Sequence, residues 1–115
     1  MGNKYKRDQA VQYFGWSNFE TWNFNLWITN EESDYNHALE LAEDSENKYE
    51  LSKKLESWAE DMADDVLRSY EYAHGFIKDM VNSSIKTVNF YEVAEHLWED
   101  ITQRTKERSE LWGEE

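Results

Sequence analysis

The segment GWSNFETWNFNLWITN, Gly15 to Asn30, decides how this chain folds. Seven of the protein's 18 aromatic residues fall in the 15 positions from Tyr13 to Trp27, interleaved with asparagine, threonine and glutamate. Each buried aromatic side chain removes roughly 150–250 Å² from water, so a few of them can supply much of a small core. The segment is therefore either the centre of a core or a recognition surface.

Local signals favour a helix over a strand in this segment. Ser17 and Glu20 have the spacing of a capping box, in which a serine caps the helix and a glutamate three residues later bonds back to it. The alternation from Trp22 to Leu26 is instead the pattern of a strand, but no second strand is evident to pair with it. We therefore predict a first helix over about 18–29, with apolar side chains nearly all round it.

Two further helices are predicted after the first one. Thr29 and Glu32 offer a second capping box, and a short helix should follow to about residue 44. From about 47 to 74 apolar residues recur at spacings of three and four, which predicts a long amphipathic helix that Gly75 is placed to end. The apolar positions of this helix are Leu51, Leu55, Trp58, Met62, Val66, Tyr70 and Ala73.

The last third of the chain predicts two more helices. Apolar residues between 76 and 85 indicate a short fourth helix. Asn89 and Glu92 then have the spacing of an N-cap and its partner at the third helical position of a fifth helix. Val88 can pack on Val93 as the hydrophobic staple of the same helix start.

The predicted fold is all-α. It is a single-domain bundle of four to five helices over residues 13–112, preceded by a flexible basic arm over residues 1–12 with Lys4, Lys6 and Arg7. The chain has no proline and four glycines, which fits long helices with few turns. At 115 residues it is long enough for one modest core.

The net charge of −13 comes from 25 acidic and 12 basic residues. Binding to a nucleic-acid backbone or an anionic membrane requires clustered lysine and arginine, so this charge argues against both. It favours solubility or a basic protein partner. The sequence has no cysteine, no secretory-signal pattern and no apolar run long enough to span a membrane, which predicts a cytoplasmic protein.

Catalytic chemistry has little support in the sequence. Glu92, His96 and Asp100 recur at steps of four and share a helix face, where they could contribute to a metal site. The usual His-x-x-x-His pair is missing, and an exposed face with Glu92–His96 and Asp100–Arg104 pairs is the simpler explanation. Without cysteine, a G-x-S-x-G motif or a glycine-rich phosphate loop, we predict no enzyme, no metal and no cofactor.

Acidic residues are concentrated in the middle of the chain. Between Glu31 and Asp65 there are 13 acids and three lysines. The third helix places acids in rows at i+4, which cost helix stability unless they are interrupted by lysine or arginine. These rows favour a surface that presents carboxylates as a nucleic acid presents phosphates, although an ordinary solvated face has the same composition. The predicted partner-binding residues are Glu40, Glu43, Asp44, Glu56, Glu60, Asp61, Asp64 and Asp65.

The aromatic segment allows two interpretations. In the first, Phe19, Trp22 and Leu26 pack beneath the third and fifth helices against Trp58 and Trp98. In the second, some aromatic side chains stay exposed and anchor a protein partner, because tryptophan and tyrosine dominate interface hot spots. The candidates for that role are Trp16, Phe24 and Trp27.

The same segment resembles a signature, G-W-x-N-x-E-T-W-x-x-x-L-W-x-x-N, of small uncharacterised proteins of phages, plasmids and bacterial genomes. The matching residues are Gly15, Trp16, Asn18, Glu20, Thr21, Trp22, Leu26, Trp27 and Asn30. VNFYEVAEHL, Val88 to Leu97, resembles a second block of that family. The resemblance implies a small phage- or plasmid-type protein and supplies no activity or catalytic residue. The acidity is similar in kind to that of phage anti-restriction and anti-CRISPR proteins.

These features lead to two expectations about function. The first is an inhibitor of a host nucleic-acid-binding defence complex, a CRISPR effector or a restriction enzyme, that acts in the host cytoplasm through its acidic surface. The alternative is a small adaptor that binds a protein partner through the Trp-rich first helix. The apolar residues of that helix could also form the interface of a homodimer.

Overall fold

The helices of the chain follow the order expected from its sequence. The computed structural model describes residues 13–69 and 75–111, with side chains up to Thr105. The helices are α1 (Phe19–Asn30), α2 (Glu32–Glu43), α3 (Lys48–Ser69), α4 (Gly75–Thr87) and α5 (Phe90–Leu111). Over these residues there is no strand, so the predicted all-α single-domain bundle is confirmed and the strand alternative for the aromatic segment is wrong.

Three sequence predictions concern parts of the chain outside the described residues. They are the basic arm over 1–12, the end of the third helix near residue 74 and the domain boundary at 112.

The core lies where α2, α3 and α5 meet, and α1 covers one side of it. The apolar stripe of α3 supplies Leu51 and Leu55, which are fully buried. Trp58 and Trp98 are partly buried and pack against the same cluster. The buried apolar residues are Ile28, Ala38, Leu39, Ala42, Leu51, Leu55, Ala59, Phe90, Val93, Ala94 and Leu97.

α1 turns a different face to the core than the sequence predicts. Thr21 and Ile28 are buried, and their separation of seven residues places them on one side of the helix. Phe19, Trp22 and Leu26 lie on the other side, with Phe19 43% and Leu26 37% exposed, so the prediction that they pack beneath the third and fifth helices is wrong. Because α1 carries apolar side chains nearly all round, its rotation is set by the polar contacts of Thr21 described below.

α1 begins one residue later than predicted. Asn18 is its N-cap, with Oδ1 accepting the backbone N–H of Thr21 at 2.8 Å, so the proposed Ser17–Glu20 capping box is wrong. Phe14 and Gly15 have positive φ angles of 59° and 89°, which turn the chain sharply just before the helix.

The other helix starts are partly as predicted. The hydroxyl of Thr29 donates to the Asn25 carbonyl oxygen at 2.6 Å inside α1, so Thr29 does not cap α2. Gly75, which was predicted to end the third helix, is the first residue of α4, and the residues between it and α3 lie outside the described part of the chain. Asn89 is confirmed as the cap of α5, because its Oδ1 accepts the backbone N–H of Glu92 at 3.1 Å.

The second half of α3 extends past the core. Ala59 is the last buried residue of this helix, and Met62 and Val66 are 38% and 58% exposed. α4, which packs beside it, has no fully buried residue. Among the described residues 48–69, the predicted apolar stripe of the third helix is therefore fully buried only as far as Ala59.

Candidate interaction surfaces

Asn18 and Thr21 join the start of α1 to the turn before α5. Asn18 Nδ2 donates to the Thr87 carbonyl oxygen at 3.1 Å, and Asn18 Oδ1 accepts the Thr21 hydroxyl at 2.7 Å. Thr21 Oγ1 in turn accepts the Asn89 backbone N–H at 2.8 Å. We call these four residues the polar junction. Thr21 is fully buried, and the junction satisfies its hydroxyl as both donor and acceptor.

A third hydrogen bond crosses the same interface. The backbone N–H of Ser17 donates to Glu92 Oε1 at 3.2 Å. Each of the two helices thus supplies a side-chain acceptor for a backbone N–H at the N-terminus of the other. The aromatic segment and the VNFYEVAEHL block meet here. The polar residues that bond the two segments to each other therefore have a structural role.

The three predicted aromatic anchors have different environments. Trp16 lies against His96, with ring centroids 4.3 Å apart, and Phe24 makes an edge contact with Phe90 at 5.2 Å. Trp27 is 57% exposed. Of the three, Trp27 alone is available as a largely exposed anchor.

A cluster of aromatic rings covers the outer side of α1. Phe14 stacks on Trp22 at 5.6 Å, Phe19 contacts Trp22 at 5.6 Å, and Tyr13 meets the edge of Phe19 at 5.9 Å. Phe14 is 76% exposed. The rings that were predicted to enter the core therefore pack on one another at the surface.

Glu92, His96 and Asp100 each contact a different part of the molecule. Glu92 accepts from the segment before α1, His96 packs on Trp16, and Asp100 accepts the Tyr35 hydroxyl at 2.9 Å. Among the residues that the structure describes, no three metal-binding side chains come together as a site. Burial, followed by the hydrogen bond to Asp100 and its charge, raises the pKa of Tyr35 above its ordinary value of 10.0.

The acidic residues of α3 are most exposed on its distal half. Glu60, Asp61, Asp64 and Asp65 are all exposed. Because successive residues are turned by about 100°, Glu60 and Asp64 form one row and Asp61 and Asp65 a second row beside it. We call these four residues the distal acidic patch.

Two lysines separate this patch from the other predicted acids. Lys53 pairs with the half-buried Glu56 at 3.7 Å. Lys54 pairs with Glu50 at 3.8 Å and donates to the Asp44 carbonyl oxygen at 3.0 Å, so a cation lies at the end of α2. The eight predicted residues therefore do not form one uninterrupted acidic surface. The predicted binding residues on and just after α2 are all exposed: Glu40, Glu43 and Asp44.

A groove with a volume of about 260 Å³ lies between α1 and α4, and Ala59 of α3 also lines it. Its polar lining residues are Glu20, Asn23 and Ser84, and its other apolar residues are Phe19, Phe24, Trp27, Ile85 and Val88. A second depression of about 310 Å³ lies between α3 and α4, where Glu60 and Asp64 face Lys86. Ile85 lines both, so the two depressions are adjacent.

A protein-family profile matches residues 9–114, almost the whole chain. The chain belongs to DUF7249, a family of unknown function. No curated protein and no solved structure matches it. Within the described part of this DUF7249 member, no helix is long and apolar enough to cross a membrane.

Sequence patterns do not predict the groove of this DUF7249 member. Its lining residues come from three helices, and its depth depends on how α4 stands beside α1. One indirect signal is available: the apolar spacing of α3 continues through Met62 and Val66, past Ala59, the last buried residue of that helix.

Proposed function

We propose that this DUF7249 protein is a non-catalytic, phage- or plasmid-type inhibitor of a host nucleic-acid-binding defence complex. It acts in the host cytoplasm, and its target is a complex such as a CRISPR effector or a restriction enzyme. The distal acidic patch enters the basic site that normally holds DNA or RNA. The observation that carries this proposal is the exposure of all four carboxylates of the patch on one short stretch of α3.

The spacing of these carboxylates is close to that of phosphates. From Glu60 to Asp65 an α-helix rises about 7.5 Å, so the four charges of the patch are spaced about 2.5 Å apart along the helix axis on average. A DNA duplex presents about one charge per 1.7 Å of its axis, and each strand about one per 3.4 Å. A channel built to neutralise phosphates would therefore meet a charge density at the patch between that of one DNA strand and that of a duplex.

The overall charge supports the same mechanism. A net charge of −13 attracts a basic site over long distances and raises the rate of encounter. Dissolved salt screens such attraction, with a Debye length of about 8 Å at physiological ionic strength. Binding to the target should therefore weaken as the salt concentration rises.

Affinity capture from host lysate tests the proposal. The tagged protein is incubated at low salt and washed at rising salt, and the eluted proteins are identified by mass spectrometry. We expect a nucleic-acid-handling complex that elutes at high salt and is displaced by added DNA or RNA. A partner that resists both salt and nucleic acid would contradict the proposal.

A pair of charge-matched variants separates placement from net charge. In the first, Glu60→Gln, Asp61→Asn, Asp64→Asn and Asp65→Asn remove the distal acidic patch, and capture should be lost while helicity is kept, because like charges at i+4 destabilise a helix. The control removes four exposed charges outside the predicted binding residues, Glu32→Gln, Glu46→Gln, Glu95→Gln and Glu99→Gln, and should still capture the target. Equal capture by both variants would rule out the patch as the binding surface.

A second candidate function is an adaptor that binds its partner through aromatic side chains of the first helical segment. The exposure of Trp27 (57%) and Phe14 (76%) favours it. In that case Trp27→Ala should abolish capture at every salt concentration, and removal of the distal acidic patch should have little effect.

A further inference from the structure

The groove between α1 and α4 continues along α3 as an apolar strip. Met62 and Val66 follow the groove residue Ala59 by three and seven positions, so they share its face of the helix. Their exposures are 38% and 58%, and Trp27 at the other wall of the groove is 57% exposed. This face of α3 therefore has the apolar spacing of a helix that packs on a core, but its side chains beyond Ala59 are exposed.

α4 supplies the other side of the same strip. Val81 and Ile77 precede the groove residue Ile85 by four and eight positions, which places them on its groove-facing side. Ile77 is 48% exposed, and Val81 is half-buried. The apolar strip therefore consists of the groove together with Met62, Val66, Ile77 and Val81.

Carboxylates border this strip. Asp61 and Asp65, both exposed, directly precede Met62 and Val66 on α3. Glu20 lines the groove on α1. On the far side of Ile85, Glu60 and Asp64 lie in the adjoining depression, where Lys86 is the basic residue. The surroundings of the strip are thus predominantly acidic.

We propose that the apolar strip binds a basic amphipathic helix of a partner protein. Such a helix presents apolar side chains at i, i+3 or i+4, and i+7 over about 10.5 Å, the same length as α3 from Ala59 to Val66. Its lysines and arginines, beside the apolar face, meet Asp61, Asp65 and Glu20. The flexible side chain of Met62 can adapt to anchors of different shape. This inference deepens the proposed function and rests on it for the basic character of the target.

A second copy of the chain is a poorer occupant for the same strip. A symmetric dimer places the same patch of each copy at the interface, so the Asp61 and Asp65 side chains of both copies would crowd one contact. Each copy also carries a net charge of −13, which opposes self-association.

Two synthetic peptides of identical composition test the inference with the full-length protein. Both are helical and contain only leucine, lysine and alanine. In one the leucines share a face at i, i+4 and i+7, and in the other they are spread round the helix. Binding is followed by fluorescence anisotropy of the labelled peptide. We expect the amphipathic peptide to bind at least about tenfold more tightly, because only it can bury its leucines together.

Variants of exposed residues locate the binding site. Val66→Ser with Ile77→Ser should remove most of the preference for the amphipathic peptide, and circular dichroism should show unchanged helix content, because both side chains are about half exposed. Tyr91→Ser on α5, where the side chain is 44% exposed, is the matched control and should keep the preference.

The outcomes distinguish this inference from the proposed function. Suppose that both peptides bind equally and that neither binds once the distal acidic patch is removed. The apolar strip is then not a binding site, whereas the proposed function is not contradicted. If the patch variant still captures the host target while the Val66→Ser, Ile77→Ser variant loses the peptide, the proposed function fails and the strip stands. A dimer seen by light scattering that Val66→Ser dissociates would assign the strip to a second copy and overturn the inference.

Discussion

Asn89, the cap of α5, donates its backbone N–H to the Thr21 hydroxyl of α1 at 2.8 Å, across 68 positions of sequence. Thr21 donates its own hydroxyl proton to Asn18 Oδ1 at 2.7 Å. The bonds that fix the starts of α1 and α5 therefore pass through one buried oxygen. This arrangement sets the rotation of α1 and decides which of its many apolar side chains face the core.

Replacing Thr21 by valine should destabilise the fold. The substitution keeps the shape of the side chain but leaves the part-buried Asn89 N–H without its acceptor, which costs about 1–3 kcal/mol. The free energy of unfolding from urea titration followed by circular dichroism measures the effect. Thr29→Val is the control, because the Thr29 hydroxyl bonds back to a carbonyl in its own helix, and its effect should be smaller. Equal losses of unfolding free energy in the two variants would show that the polar junction does not contribute specifically to stability.

Asn18 and Ser17 should differ in their contribution to stability. Asn18→Ala removes the side-chain cap of α1 and should cost about 0.5–2 kcal/mol of unfolding free energy. Ser17→Ala should have little effect, because the Ser17 contact with Glu92 uses the backbone N–H, which alanine retains. Chemical denaturation of both variants measures the difference. A larger loss for Ser17→Ala would restore the capping box that the sequence suggests.

The helices were predictable because their signals are local. The apolar spacing that predicts α3 repeats every three or four residues, and the Asn89 cap is recognised from Glu92, three residues later. Both features are present in the structure. The Ser17 cap and the buried face of α1 were not predictable in the same way. Ser17 bonds to Glu92, 75 positions away, and a helix that is apolar nearly all round carries no pattern that selects one face.

The acidic surface was predictable as composition but not as a shape. The exposure of Glu60 and its three neighbours follows from their place on the polar side of an amphipathic helix. The separation of Asp44 from them depends on Lys54, which reaches the Asp44 carbonyl oxygen because a turn of only four residues joins α2 to α3. The groove depends similarly on the placement of α4 beside α1.

Tyr35 should make stability fall more steeply at high pH. Its pKa is raised above 10.0 by burial and by Asp100, so the folded state keeps the hydroxyl proton after the unfolded chain has lost it. This contribution is fully present below about pH 10 and is lost as the pH rises through the pKa of the folded state. Urea unfolding at about pH 8 and pH 11 measures the slope, and Tyr35→Phe should flatten it. An identical slope in the variant would exclude Tyr35 as its source.

Gly15 and Gly75 should respond oppositely to alanine. Gly15 has a φ of 89°, a conformation that L side chains rarely adopt, so Gly15→Ala should cost about 1–2 kcal/mol although no atom lies within 4 Å of the added methyl group. Gly75 has no positive φ, also has open space around it, and starts α4. Gly75→Ala should leave the free energy of unfolding unchanged or raise it by about 0.4–1 kcal/mol, because alanine has less freedom to lose on folding. Thermal and urea unfolding of the two variants measure both effects. A clear loss at Gly75 would indicate that this residue ends α3, as the sequence alone suggests, and that α4 begins later.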